Sequence, residues 1–96
     1  MPDITRMFRG PLNDFEVEVV FGGVEDTSPY EAHPYEEFVF LAEGEIVVTR
    51  DDKDEPETVT GPAFLHVPTG VMHSFDLRQT PTRLVVIHPA RNDGGV

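Results

Sequence analysis

Between residues 31 and 73 this 96-residue chain places four side chains able to grip a metal ion or move a proton, Glu31, His33, Glu37 and His73, in two short segments. Three of them belong to Glu31-Ala32-His33-Pro34-Tyr35-Glu36-Glu37, at positions of one parity. Alternate residues of an extended strand point to the same face, so Glu31, His33 and Glu37 are expected to project together. Two imidazoles and two carboxylates converging inside a small barrel would make a metal site.

The elements that must position them are short. Nine prolines and eight glycines punctuate the apolar runs, which favours strands over helices. The expected strands are Phe15–Phe21, Glu36–Ala42, Glu45–Arg50, Glu57–Thr60, Ala63–Val67, His73–Leu77 and Thr82–His88, with a weaker one at Ile4–Phe8. Every helical candidate is broken by proline or glycine within a few residues. Phe15, Val17, Val19 and Phe21 share one face, and Glu16 and Glu18 take the other. Val39 and Leu41 are expected inward with Glu37, which turns Phe38 and Phe40 outward. Two outward aromatics need cover from the N-terminal strand or a second subunit. Gly44 reads as a tight hairpin, and Asp51-Asp52-Lys53-Asp54-Glu55-Pro56 as a solvated hairpin loop. That charge run lacks a glycine-punctuated calcium pattern. Eight short strands at regular spacing suggest a sandwich or a jelly-roll barrel, and periodicity leaves both open.

Several residues have a plain structural reading. His66 shares parity with Phe64, opposite Leu65 and Val67, and is expected at the surface or an interface. His88 reads as a strand-end residue. Tyr35 shares parity with His33 and Glu37 and could either hydrogen-bond a ligand or pack. Phe75, Met72 and Phe64 are expected in the core or pocket wall.

Composition sets the outer limits. The length fits one domain spanning 1–96, with 89–96 as a frayed tail. The absence of cysteine removes disulfides, Cys-zinc sites, iron–sulfur clusters and thiol catalysis. Eighteen acidic against seven basic residues give a net charge of −11, which disfavours nucleic acid and anionic membranes as partners. No run has signal-peptide or membrane-span character, so a soluble cytoplasmic protein is expected.

The stretch from Glu31 to Gly44 resembles the first signature of the cupin superfamily. His33 falls on its second histidine, Glu37 on its glutamate and Gly44 on its glycine. Gly61 through Pro68-Thr69-Gly70-Val71-Met72-His73 resembles the second signature, with His73 on its histidine. The resemblance implies a small single-domain cupin, an all-β jelly roll or double-stranded β-helix barrel. It also implies a divalent metal held by His33, Glu37 and His73. The chain departs from the pattern in four places. Glu31 stands where the first histidine is usual, and Glu25 where the opening glycine is usual. Six residues rather than five separate Gly61 from Pro68, and Leu77 replaces an asparagine.

The first departure bears on chemistry. With Glu31 as fourth ligand, two carboxylates would neutralise a divalent ion and favour Fe, Mn or Zn over Cu, with Ni also implied by the resemblance. With Glu31 turned away, His33, His73 and Glu37 would leave open positions, and Glu31 would serve as a general base beside them. A metal-free barrel and a purely structural metal are the remaining alternatives. The resemblance thus implies a metal-dependent enzyme on a small polar substrate, of dioxygenase, isomerase, decarboxylase or lyase type. The alternative is a non-catalytic module that binds or senses a small molecule. A homodimer is expected from Phe38, Phe40 and the small core.

Overall fold

The computed structural model describes residues 3–9 and 15–90, with residues 7–9 as backbone only. The strands are β1 (Asp3–Arg9), β2 (Glu16–Gly22), β3 (Glu37–Glu43), β4 (Glu45–Arg50), β5 (Glu57–Thr60), β6 (Ala63–Val67), β7 (His73–Leu77) and β8 (Thr82–His88). All eight lie within one residue of their expected bounds, and β1, the weaker expectation, is a full strand. No helix among the described residues is long and apolar enough to cross a membrane. Residues 91–96, most of the expected tail, lie outside the described residues.

Two antiparallel sheets form the barrel, one ordered β1-β2-β8-β3-β6 and the other β5-β4-β7. Between them lie Val39 and Leu41 of β3, Ile46 and Val48 of β4, Leu77 of β7 and Leu84 and Val86 of β8. Val39, Leu41, Ile46 and Val48 are wholly buried. Each such side chain contributes about 1.5–3 kcal/mol through removal from water.

Gly44 is not a hairpin. It joins β3 in the larger sheet to β4 in the smaller, so the two strands diverge instead of pairing. The backbone there has φ +103°, and an added Cβ would stand 2.8 Å from Thr82 Cα. Thr82 is wholly buried and donates to the Gln79 carbonyl at 2.7 Å, so it has little room to move. Gly44→Ala is expected to destabilise the fold by about 3 kcal/mol, half from left-handed backbone and half from overpacking. Urea unfolding measures this; an unchanged midpoint would show that the junction relaxes freely.

Of the two faces of β2, the acidic one turns inward. Glu16, Glu18 and Val20 line the interior, while Phe21 is exposed beneath the Arg83 guanidinium, 5.0 Å from its ring centre. The acidic face turns inward because partners wait there: Arg6 of β1 and His88 of β8. Phe64 is likewise 61% exposed and belongs to neither core nor pocket wall. It follows the β6 alternation, in which Val67 is buried and His66 exposed.

The segment before β3 is laid along the free edge of β7. Leu77 N donates to Asp26 O, Ser28 N to Phe75 O, and Glu31 and His73 exchange both backbone bonds at 3.0–3.1 Å. The Asp26 carboxylate fixes the start of this segment by accepting from Gly23 N at 2.9 Å, which holds its pKa below the usual value. This edge pairing carries the chain across the barrel mouth and delivers His33 to the interior.

Candidate metal centre

Residues 31–37 do not form one strand. Glu31 pairs with His73 as an isolated bridge, the chain bends at Pro34 and Tyr35, and β3 begins only at Glu37. Parity across the bend therefore loses its meaning. His33 is pinned by its carbonyl, which accepts from Gly70 N at 3.0 Å. The Tyr35 ring stacks on the His33 imidazole, with centroids 4.9 Å apart and planes within 8°. His33 and Glu37 thus reach the same place from opposite sides of the bend.

One ligand atom from each of His33, Glu37 and His73 can be chosen so that all lie within 4.8 Å of one another. Glu31 is not brought into that group. Its side chain is 54% exposed, and Oε1 lies 3.9 Å from His33 Nε2. It stands at the mouth, beside the cluster.

Protonation decides what the cluster wants. His73 Nδ1 donates to the Val71 carbonyl at 2.9 Å, so a neutral ring has its lone pair on Nε2. That nitrogen lies 2.8 Å from Glu37 Oε2, yet Oε2 is buried without a hydrogen-bond partner. A lone pair facing a carboxylate oxygen at this range repels unless a cation stands between or beside them. A divalent ion meets that need, and two imidazoles with one carboxylate are a suitable donor set. Without metal, protons fill the role. Burial pushes the Glu37 carboxyl up, but His73 and His88 outweigh it and hold the pKa at about 2. Burial lowers His73, and Glu37 with the Val71 carbonyl more than reverses this, leaving it raised. His33 goes the other way: burial lowers it, so it presents a neutral imidazole near pH 7.

His88 is the residue that sequence reasoning missed. It is no mere strand end: its ring is buried, with Nε2 3.0 Å from Glu37 Oε1 and Nδ1 3.2 Å from Glu16 Oε1. Its pKa is raised, since the two carboxylates outweigh burial. The missed signal was parity, because His88 alternates with the core residues Leu84 and Val86. His66, by contrast, sits on the outer face as expected, 3.1 Å from Glu36 and stacked on Phe38.

The cluster opens into a cavity of about 610 Å3. Val20, Phe75, Leu77, Leu84 and Val86 form its apolar wall, and Glu18 lines it beside Glu16 and His88. Burial and the neighbouring Glu16 raise the Glu18 pKa.

A two-sheet barrel with histidines and a glutamate gathered at one end defines the cupin class. The chain belongs to the cupin family: a family model of the cupin domain matches residues 17–88. A cupin of double-stranded β-helix fold from Methanocaldococcus jannaschii superposes with a TM-score of 0.82 at 12% identity, over 95% of this chain and 82% of that one. A cupin superfamily protein from Desulfitobacterium hafniense gives 0.82 at 13% identity, over 94% of this chain and 78% of that one. The DMSP lyase DddQ of Ruegeria pomeroyi gives 0.78 at 18% identity, over 96% of this chain and 48% of that one. At these identities the likeness is one of fold. No curated protein matches the sequence. Cupins include metal-dependent enzymes and proteins that bind small ligands, and many hold a metal.

Proposed function

We propose that His33, Glu37 and His73 hold a divalent metal ion, Fe, Mn, Zn or Ni, and that the protein is a metal-dependent enzyme for a small polar molecule. The observation that carries this reading is Glu37 Oε2, buried, without a hydrogen bond and 2.8 Å from His73 Nε2. Bound there, the ion would act as a Lewis acid toward a substrate oxygen. The chain's own groups do the rest. Tyr35 orients His33 by stacking, and the apolar wall of Phe75, Leu77, Leu84 and Val86 limits water. Glu31, exposed beside His33, is placed to take a proton from substrate as a general base rather than to complete the ligand set. The lining residues include Glu16, Glu18, Asp26, Glu31 and Glu37 against a single guanidinium, Arg6, which disfavours anionic substrates.

Elemental analysis of protein purified without chelator or histidine tag tests the metal reading. Near one equivalent of metal is expected in the wild type, and none in His33→Ala. A wild type that is bare and takes up no Fe(II), Mn(II) or Zn(II) would overturn it. A non-catalytic binding module is the second reading, favoured by the cavity of about 610 Å3 with its apolar wall. Ligand-dependent stabilisation without turnover would select it.

The homodimer reading gains support from the outer face of the larger sheet. Phe38 stacks on Phe64 at 5.8 Å and on His66 at 4.7 Å, beside the exposed Phe40. In sedimentation at micromolar concentration the wild type is expected as a dimer, and Phe64→Glu as a monomer. A monomeric wild type would count against it.

A further inference from the structure

We propose that His88, anchored by Glu16, is the positioning residue of the metal centre: it donates to Glu37 Oε1 and thereby turns Glu37 Oε2 toward His33 and His73. This inference rests on the metal reading above and assigns work to two residues outside the ligand set.

The strands bring the three groups together. Glu16 of β2 lies directly opposite His88 of β8, and β3 flanks β8 on its other side, with Phe38 opposite Ile87. The His88 ring therefore lies between two glutamates, with Nδ1 toward Glu16 Oε1 and Nε2 toward Glu37 Oε1. All three side chains are more than nine-tenths buried. Glu16 is held in turn by Arg6, whose Nε donates to Oε2 at 2.8 Å. The result is a chain of polar contacts from the half-exposed Arg6 to the metal cluster.

A carboxylate is planar, so fixing one oxygen sets the direction of the other. With Oε1 engaged by His88, Glu37 presents Oε2 alone to an ion. With Oε1 free, the group can rotate or chelate through both oxygens, and its preorganisation is lost. His88 does not join the group formed by His33, Glu37 and His73; it falls with Glu16 and Glu18 in a second set of close donors, and both its nitrogens face the carboxylate oxygens of Glu16 and Glu37.

The test is Co(II) titration into chelator-stripped protein, read by competition affinity and by the visible bands of the bound ion. His88→Phe keeps the ring volume and cannot donate; it is expected to weaken Co(II) about 10–100-fold. His88→Gln, whose amide can still donate to Glu37, is expected to recover most of that loss with wild-type bands. Glu16→Gln leaves the ring in place and is expected to weaken binding toward the lower end of the same range. It carries the test where thermal melting shows that His88→Phe does not fold. Wild-type affinity in whichever of the two folds overturns the proposal. So does a His88→Gln protein whose bands change, since His88 would then be a ligand. A wild type that takes up no Co(II) is a distinct result, which removes the metal reading and this inference with it.

Discussion

Replacing His73 with alanine is expected to empty the centre of divalent metal and to destabilise the metal-free protein by about 3 kcal/mol. The first effect follows from the donor set, since His33 and Glu37 alone give an ion two protein ligands. The second follows from Glu37. Its side chain is 7% exposed, and His73 Nε2 is the nearest counter-group to Oε2 at 2.8 Å. Removing that partner leaves a buried carboxylate half compensated, with only His88 on Oε1. The remaining bond to His88 places the cost at the lower end of the range for a broken buried pair. The backbone bridge to Glu31 does not depend on the side chain, so the barrel mouth is expected to stay closed against β7. Metal content and the urea midpoint, with an unchanged slope, measure both effects. Full metal occupancy in His73→Ala would remove this residue from the centre.

The metal-free protein is expected to be most stable between about pH 4.5 and 6.5. Glu37 is held from 4.5 down to about 2 in the fold. Its contribution is therefore full above 4.5 and is lost as the pH falls toward 2. His73 and His88 are raised above 6.5. Their contributions are full below 6.5 and are lost as the pH rises through their folded values. Both limbs report one set of contacts among Glu37, His73 and His88, so the interaction counts once, at roughly 3 kcal/mol. The alkaline limb is the diagnostic one, because acid unfolding draws on all 18 acidic residues. In excess chelator, melting temperature is expected to fall from pH 6 to 9, and saturating Zn(II) is expected to flatten that fall as metal replaces the protons. A flat chelator profile across that range would show that Glu37 and its histidines do not contribute through charge.

Strand positions were legible because their signals are local. Alternation in Glu45–Arg50 and Thr82–His88, bounded by glycine and proline, needs no knowledge of the neighbouring strand. The two signatures placed His33, Glu37 and His73 together for the same reason, since each lies at a fixed offset from a turn. Other readings depended on partners far along the chain. A glycine turn looks the same whether its flanking strands pair or part, and Gly44 parts them because β3 bonds to β6 and β8 while β4 bonds to β5 and β7. Alternation in β2 separated Glu16 and Glu18 from Val17 and Val19 but could not say which set faces inward. His88, 72 residues away, decided that by offering Glu16 a buried partner. Glu31 shares parity with His33 and Glu37 in the sequence, but its backbone is bridged to His73 at the edge of β7 and its side chain is left 54% exposed. The sequence by itself determined the cupin barrel, the shared faces within each strand and the three donors at its mouth. Only the tertiary structure decided which faces turn inward, that Glu31 stands outside and that His88 stands within. Backbone geometry sets a period of two along a strand, whereas the burial of a charge is settled by what lies across from it.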